Sequence, residues 1–242
     1  MKNQIAILFF LLAITAGCKP KSGLKVNEVK VAGSLMEVMQ DDLSTRIELS
    51  TLMEETNLYA IGAMTDLKGE IQILDSKVYN SRQGAEGEML EMDNTYNAGA
   101  AMLVYARVPE WVEFEVPKAI LTLKQFDGWL YSTAAKAGHD MSSPLPFILH
   151  GFPRKLNWHI INWDPAIGAH TKQNHINSGI QGVFLEEETD ILGFYSRNHK
   201  GVFTHHDANM HMHFILDNRK LGGHVDELLL GPYMTVKLPK LN

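Results

Sequence analysis

The stretch His211-Met212-His213-Phe214-Ile215-Leu216, with Leu221-Gly222-Gly223-His224 following the polar Asp217-Asn218-Arg219-Lys220, constrains this chain more than any other. Alternate residues of an extended strand share a face, so His211 and His213 project together while Met212 and Phe214 face a core. The turn-prone residues reverse the chain, and the glycine pair lets the returning strand come close. His224 then arrives from the neighbouring strand as a third imidazole. Three neutral imidazoles with open positions beside them form the ligand set of a catalytic zinc or similar divalent ion, not of a closed structural site. The competing reading is a pair of strand histidines hydrogen-bonded at a surface, with a separate turn histidine. Spacing, glycine pair and apolar alternation agree on the metal.

Composition narrows the chemistry further. Cys18 is the only cysteine, so an intrachain disulfide and a thiolate metal site are both excluded. Any metal must sit on nitrogen and oxygen. Eight of the eleven histidines fall between His170 and His224, which directs attention to the C-terminal half. A formal charge of −6 provides no basic footprint for nucleic acid. With 242 residues and 45% apolar content the chain can bury a substantial core.

The N-terminus has the three parts of an export signal: Lys2, an apolar run from Ile5 to Ile14, and the small residues Thr15-Ala16-Gly17 before Cys18. The run is too short to span a bilayer as a helix. Ala16-Gly17-Cys18 resembles the lipobox of bacterial lipoproteins, which implies a signal peptide over 1–17 and lipidation of Cys18. An ordinary secretory peptide or an uncleaved anchor is the alternative. Residues 18–33, with Pro20 and Gly23, read as a tether and 34–242 as one folded domain. The expected location is the bacterial cell envelope, lipid-anchored on the periplasmic or cell-surface side.

Within the domain, Leu35, Met36, Val38, Met39 and Leu43 recur at helical spacing, and Leu49, Leu52 and Met53 suggest a second short helix opened by Ser44 or Thr45. Strand patterns follow over 57–64, 70–75, 78–79, 89–91, 100–105 and 111–116. A helix is expected over 123–136, with Phe126, Leu130 and Ala134 on its apolar side and Gly138 ending it. Strands resume over 147–151, 156–161, 182–185, 190–195, the histidine hairpin and 234–238. The polar stretch Gly168 to Gly179 reads as a surface loop. Many short strands with few helices make an α+β, β-rich protein.

These residues carry a family resemblance. The chain resembles α-acetolactate decarboxylases, zinc enzymes that convert 2-acetolactate to acetoin and carbon dioxide. The match is strongest at His211-Met212-His213-Phe214-Ile215, Asp217, Arg219 and Gly222-Gly223-His224-Val225, where the family has HxHF and GGH motifs at the same spacing. Gly69-Glu70, Leu74-Asp75 and Tyr79 match a second element, and Gly193-Phe194 a third. The resemblance implies the fold of that family, a mixed sheet plus a closed antiparallel sheet. It also implies zinc on His211, His213 and His224, with Glu70 as an acidic catalytic residue beside it. Taken alone, Glu70 reads instead as a solvated turn residue beside Lys68.

The family's substrate-binding arginine falls at His159 or nearby Asn157, with Arg154 five residues early, so His159 is the second catalytic candidate. A strand histidine facing solvent or hydrogen-bonded in the core is its plainer reading. The family's second glutamate lies in a C-terminal extension that this sequence, ending at Asn242, does not supply. His205-His206-Asp207, His170 and His175 read either as pocket groups or as solvated loop. The expected partners are a small 2-hydroxy-3-keto acid, a membrane through the Cys18 anchor, and a second copy in a homodimer. The alternative to a decarboxylase is a lipid-anchored, metal-containing binding protein. Replacing both His211 and His213 by Ala is expected to abolish stoichiometric zinc, measured by elemental analysis; full zinc in that double variant would refute the metal assignment.

Overall fold

The structure, a computed structural model, describes residues 23–84, 90–216, 218 and 221–241. Cys18, the signal peptide over 1–17, the first part of the tether, and Asp217 and Arg219 lie outside the described residues. No helix among the described residues is long and apolar enough to cross a membrane.

In chain order the strands are β1 (Val29–Ala32), β2 (Ile47–Glu48), β3 (Leu58–Met64), β4 (Glu70–Leu74), β5 (Lys77–Arg82), β6 (Glu91–Asp93) and β7 (Gly99–Arg107). These form a seven-stranded sheet in the order β1-β7-β3-β4-β5-β6, with β2 also on β7. After them come β8 (Trp111–Glu115), β9 (Leu145–Gly151), β10 (Lys155–Ile160), β11 (Ile180–Phe184), β12 (Thr189–Tyr195), β13 (Met210–Leu216), β14 (Leu221–Leu229) and β15 (Thr235–Pro239). They make an eight-stranded sheet ordered β11-β10-β14-β13-β12-β9-β15-β8. The chain is therefore β-rich, as expected. Two details of the expected fold change. The first sheet pairs its named strands antiparallel, not in a mixed pattern. The second is open among the described residues, with β11 and β8 as its edges.

Alternation of side chains sorts each strand between layers. On β12, Ile191 and Tyr195 join the core under the long helix, while Leu192 and Phe194 face the first sheet. Tyr59, Ile61, Met102 and Val104 meet them from β3 and β7. A third cluster, including Leu49, Leu58, Ile71 and Leu103, covers the far face of the first sheet. The helix α2 (Leu123–Lys136) occupies the expected residues, opened by a capping box in which Thr122 and Gln125 satisfy each other's backbone donors. Its buried residues are Phe126, Leu130 and Ala134, one apolar stripe.

The remaining helices are shorter than their patterns suggested. The helix α1 covers only Leu35–Val38, capped by Ser34, and Leu49–Leu52 is a single 3-10 turn after Glu48. The tether also ends earlier than expected. Leu24 is buried, and Val29–Ala32 pairs with Leu103–Ala106, so sheet structure begins inside the stretch 18–33. Four residues, Val29-Lys30-Val31-Ala32, are too few to stand out from a polar surrounding. The stretch 168–179 is likewise not all loop. Thr171 caps the helix α3 (Lys172–Asn177), whose His175 is buried against Trp163.

Phe126 is fully buried and meets Phe147 of the second sheet edge-on at 5.8 Å. Phe126→Ala is expected to cost about 3–5 kcal/mol in urea denaturation; a loss under about 1 kcal/mol would mean α2 is not a structural layer.

Candidate metal centre

The three histidines lie where strand parity sends them. On β13, Met212 and Phe214 enter the core beneath α2, so His211 and His213 face the first sheet. On β14, Val225 shares that core, and His224 faces the same way as His213, its direct register partner. His213 Nε2 lies 3.0 Å from His211 Nε2 and 3.4 Å from His224 Nδ1. One nitrogen from each ring falls within 4.8 Å of the others. The glycine pair sits within β14 itself. A Cβ on Gly222 would stand 2.8 Å from the Gln72 side chain, and one on Gly223 would stand 2.7 Å from the His159 carbonyl. Both glycines permit close approach across and within the sheets.

Strand β4 supplies the opposite wall. Ile71 and Ile73 point into the far core, which turns Glu70 and Gln72 toward the histidines. With its amide oriented to suit its neighbours, the Gln72 oxygen accepts from His213 Nδ1–H and the Gly223 N–H, each at 3.1 Å, and its NH2 donates to the Tyr79 carbonyl at 2.7 Å. The proton on His213 is thereby held at Nδ1, and the Nε2 lone pair faces the trio. This is the outer-shell support that metal-bound imidazoles use.

Glu70 is buried and accepts from the Ile161 N–H at 3.2 Å. Its two carboxyl oxygens stand 3.9 Å from His159 Nε2 and 3.7 Å from His213 Nε2. Burial pushes the Glu70 carboxyl well above the usual carboxylate range; the Ile161 N–H opposes this and the Asp226 charge adds to it. The solvated-turn reading of Glu70 is thus not what the fold makes of it.

His159 pairs in register with His224 across β10 and β14, its ring 4.9 Å from that of His224. It donates from Nδ1 to both oxygens of Asp226, each at 2.9 Å, which turns Nε2 toward Glu70. Asp226 escapes sequence reasoning because it is the extra residue of a β-bulge. Val225 pairs with Trp158 and Glu227 with Asn157, leaving Asp226 unpaired between them. Bulges redirect side chains in this way.

A cavity of about 480 Å3 opens from this cluster, lined at one end by Glu70, His159, His211, His224 and Asp226. His205, His175 and Lys172 also line it, whereas His206 and His170 do not. His170 instead stacks on Trp163 and bonds His175 and Asp41, at 2.8 and 3.0 Å. Arg154 is not brought here. It borders a separate surface depression with Phe152, Glu186 and Tyr233, and no arginine lines the main cavity among the described residues.

The donor set fits a divalent cation. Burial, reinforced by His205 and His159, holds His211 at about 3; burial with neighbouring imidazoles holds His213 and His224 well below the ordinary histidine value. All three are neutral at pH 7. Inward-facing neutral nitrogens repel unless a proton or cation lies among them, and a cation uses all three lone pairs at once. Three protein ligands and an open side toward a cavity is the pattern of catalytic sites.

The fold has solved counterparts. An α-acetolactate decarboxylase from Bacillus subtilis strain 168 superposes with a TM-score of 0.68 at 15% identity, over 89% of this chain and 86% of that one. The acetolactate decarboxylase of Bacillus subtilis subspecies spizizenii gives 0.68 at 17% identity, over 89% and 87%. A Staphylococcus aureus protein of unknown function, similar to α-acetolactate decarboxylase, gives 0.65 at 17%, over 89% and 87%. This chain shares the acetolactate decarboxylase fold. No family model matches the sequence, and no curated protein does.

The buried imidazoles make the metal-free protein acid-sensitive. The unfolded chain takes up protons on these histidines near pH 6.5, while folded His211 waits until about 3 and His175 until about 4. Their contribution is therefore present above pH 6.5 and lost as pH falls. Glu70 has the opposite sign, its folded-state contribution being present at low pH and lost as pH rises through its raised value. With several histidines against one carboxyl, the unfolding temperature of the metal-free protein is expected to drop from pH 7 to pH 5; a flat or rising profile by calorimetry would contradict neutral burial.

Proposed function

We propose that this protein is a zinc-dependent carboxy-lyase of the acetolactate decarboxylase type. In this reading His211, His213 and His224 hold the ion, and the substrate is a 2-hydroxy-3-keto acid such as 2-acetolactate. The observation that carries the reading is the convergence of three neutral imidazoles, two of them buried, beside a buried carboxyl, Glu70, on a cavity that Glu70, His211 and His224 line.

A bound zinc ion supplies a Lewis acid that stabilises negative charge growing on the substrate's ketone and hydroxyl oxygens as carbon dioxide departs. The protein's own groups do the rest. Gln72 fixes the His213 tautomer, so the ligand lone pair does not have to be found by reorientation. Glu70 stands beside the cavity and the His213 ligand atom, where its carboxyl can pass a proton to the product carbon after carboxylate loss and regain one from water. Asp226 orients His159 so that Nε2 faces the same space, where it can hydrogen-bond the substrate carboxylate in place of an arginine. Lys172 and Lys124 line the cavity and can pair with an anionic substrate, although Asp127, Asp207 and Asp226 line it too, so most of the anion binding falls to the ion and His159.

A binding protein without turnover is the second reading, favoured by the lack of an arginine among the described lining residues. Cys18 lipidation and an envelope location remain part of the proposal, on the lipobox resemblance alone. The zinc-loaded protein is expected to form acetoin from racemic 2-acetolactate, with Glu70→Gln lowering kcat by about 10²–10⁴-fold while retaining zinc. Stoichiometric zinc with no acetoin would establish the binding reading instead.

A further inference from the structure

The cavity is larger than a five-carbon acid needs. 2-Acetolactate has nine heavy atoms; allowing each the roughly 30 Å3 that a whole water takes in the liquid, they fill about 270 Å3. The cavity encloses about 480 Å3. On the same generous allowance the remainder has room for on the order of seven further heavy atoms.

One side of that extra space is apolar. Away from the histidines the wall is formed by Leu35 and Val38 of α1, Leu67, Met102 of β7, and Phe203. Val38, Leu67, Met102 and Phe203 are buried members of the cluster between the sheets, and Leu35 packs against it half-buried. This wall is held in place. The Leu35 and Met36 N–H groups donate to the Val202 and Gly201 carbonyls at 2.7 and 2.8 Å, tying α1 to the segment that carries Phe203. Water against such a wall finds few hydrogen-bond partners, so an apolar group gains by displacing it. Charged Lys124, Asp127, Lys172 and Asp207 also line the cavity, so a ligand there meets both polar and apolar surface.

We propose that the substrate carries an unbranched alkyl chain of about four to seven carbons, seated against Leu35, Val38, Leu67, Met102 and Phe203. The hydroxy-keto acid head at the histidines rests on the function proposed above; the chain is the new element. 2-Acetolactate itself is then a fragment of the preferred ligand, occupying the polar end alone.

The test is calorimetric binding of lactate, 2-hydroxypentanoate and 2-hydroxyheptanoate to the zinc-loaded full chain. Each buried methylene is expected to tighten binding about fourfold, giving about fifteenfold from lactate to 2-hydroxypentanoate and a further gain to 2-hydroxyheptanoate. Leu35→Trp, which fills the apolar side, should erase the gain and leave lactate binding unchanged. Leu35→Ala, the milder change, should weaken 2-hydroxyheptanoate several-fold and spare lactate. Affinity that is absent or flat along the series, or a gain that survives both substitutions, overturns the proposal. Turnover is read separately: a chain-length gain without acetoin formation from 2-acetolactate sinks the decarboxylase reading and leaves the alkyl site standing, whereas acetoin formation with a flat series sinks only the alkyl site.

Discussion

A row of polar side chains stands between two apolar sheets, and the rest of the site follows from the need to satisfy it there. Glu70 and Gln72 enter from one side, and His159, His211, His213, His224 and Asp226 from the other. Unpaired polar groups in such a gap cost several kcal/mol each, and most of the row finds a partner or faces the cavity, His211 Nδ1 being left with neither. Gln72 takes His213 and Gly223, Asp226 takes His159, and the Ile161 N–H takes Glu70. What is left is a set of inward-facing nitrogens with no proton donor to serve them all, beside open space. That remainder is the chemistry of the site.

The same constraint separates structural from functional histidines. His170 and His175 are also largely buried, but they close on each other, on Trp163 and on Asp41. Their bonds bring α3 against the rest of the domain and set its Lys172 where it lines the cavity. The trio differs because its rings converge on one point without saturating one another. Burial favours neutrality in His175 as it does in the trio; only convergence beside a cavity makes ligands of the trio.

Much of this was legible along the chain. The HxHF alternation of 211–214 assigns faces without knowledge of the fold, since period two is a property of the strand. The long helix is equally local, for Thr122, Gln125 and the Phe126-Leu130-Ala134 stripe specify start and face together. Glu70 and His159 were candidates only through a family resemblance, as neither position has a local pattern that marks it. Asp226, Gln72 and Lys172 carried no signal. Asp226 depends on an unpaired bulge residue, Gln72 on a partner 141 positions away, and Lys172 on a helix too short to show periodicity.

The sequence by itself determined that β-strands dominate, that two imidazoles share a strand face and that a third returns beside them, because these depend on side-chain alternation and turn chemistry over a few residues. Tertiary structure alone decided which face of each strand is buried against which sheet. It therefore decided that β4 lies opposite β13 and β14, that Glu70 is dry and Arg154 distant, and that an apolar wall extends the cavity beyond the histidines. The physical reason is range. Alternation and capping act within about a turn or a strand, whereas burial, pKa and cavity shape depend on surfaces contributed by segments far apart in the chain.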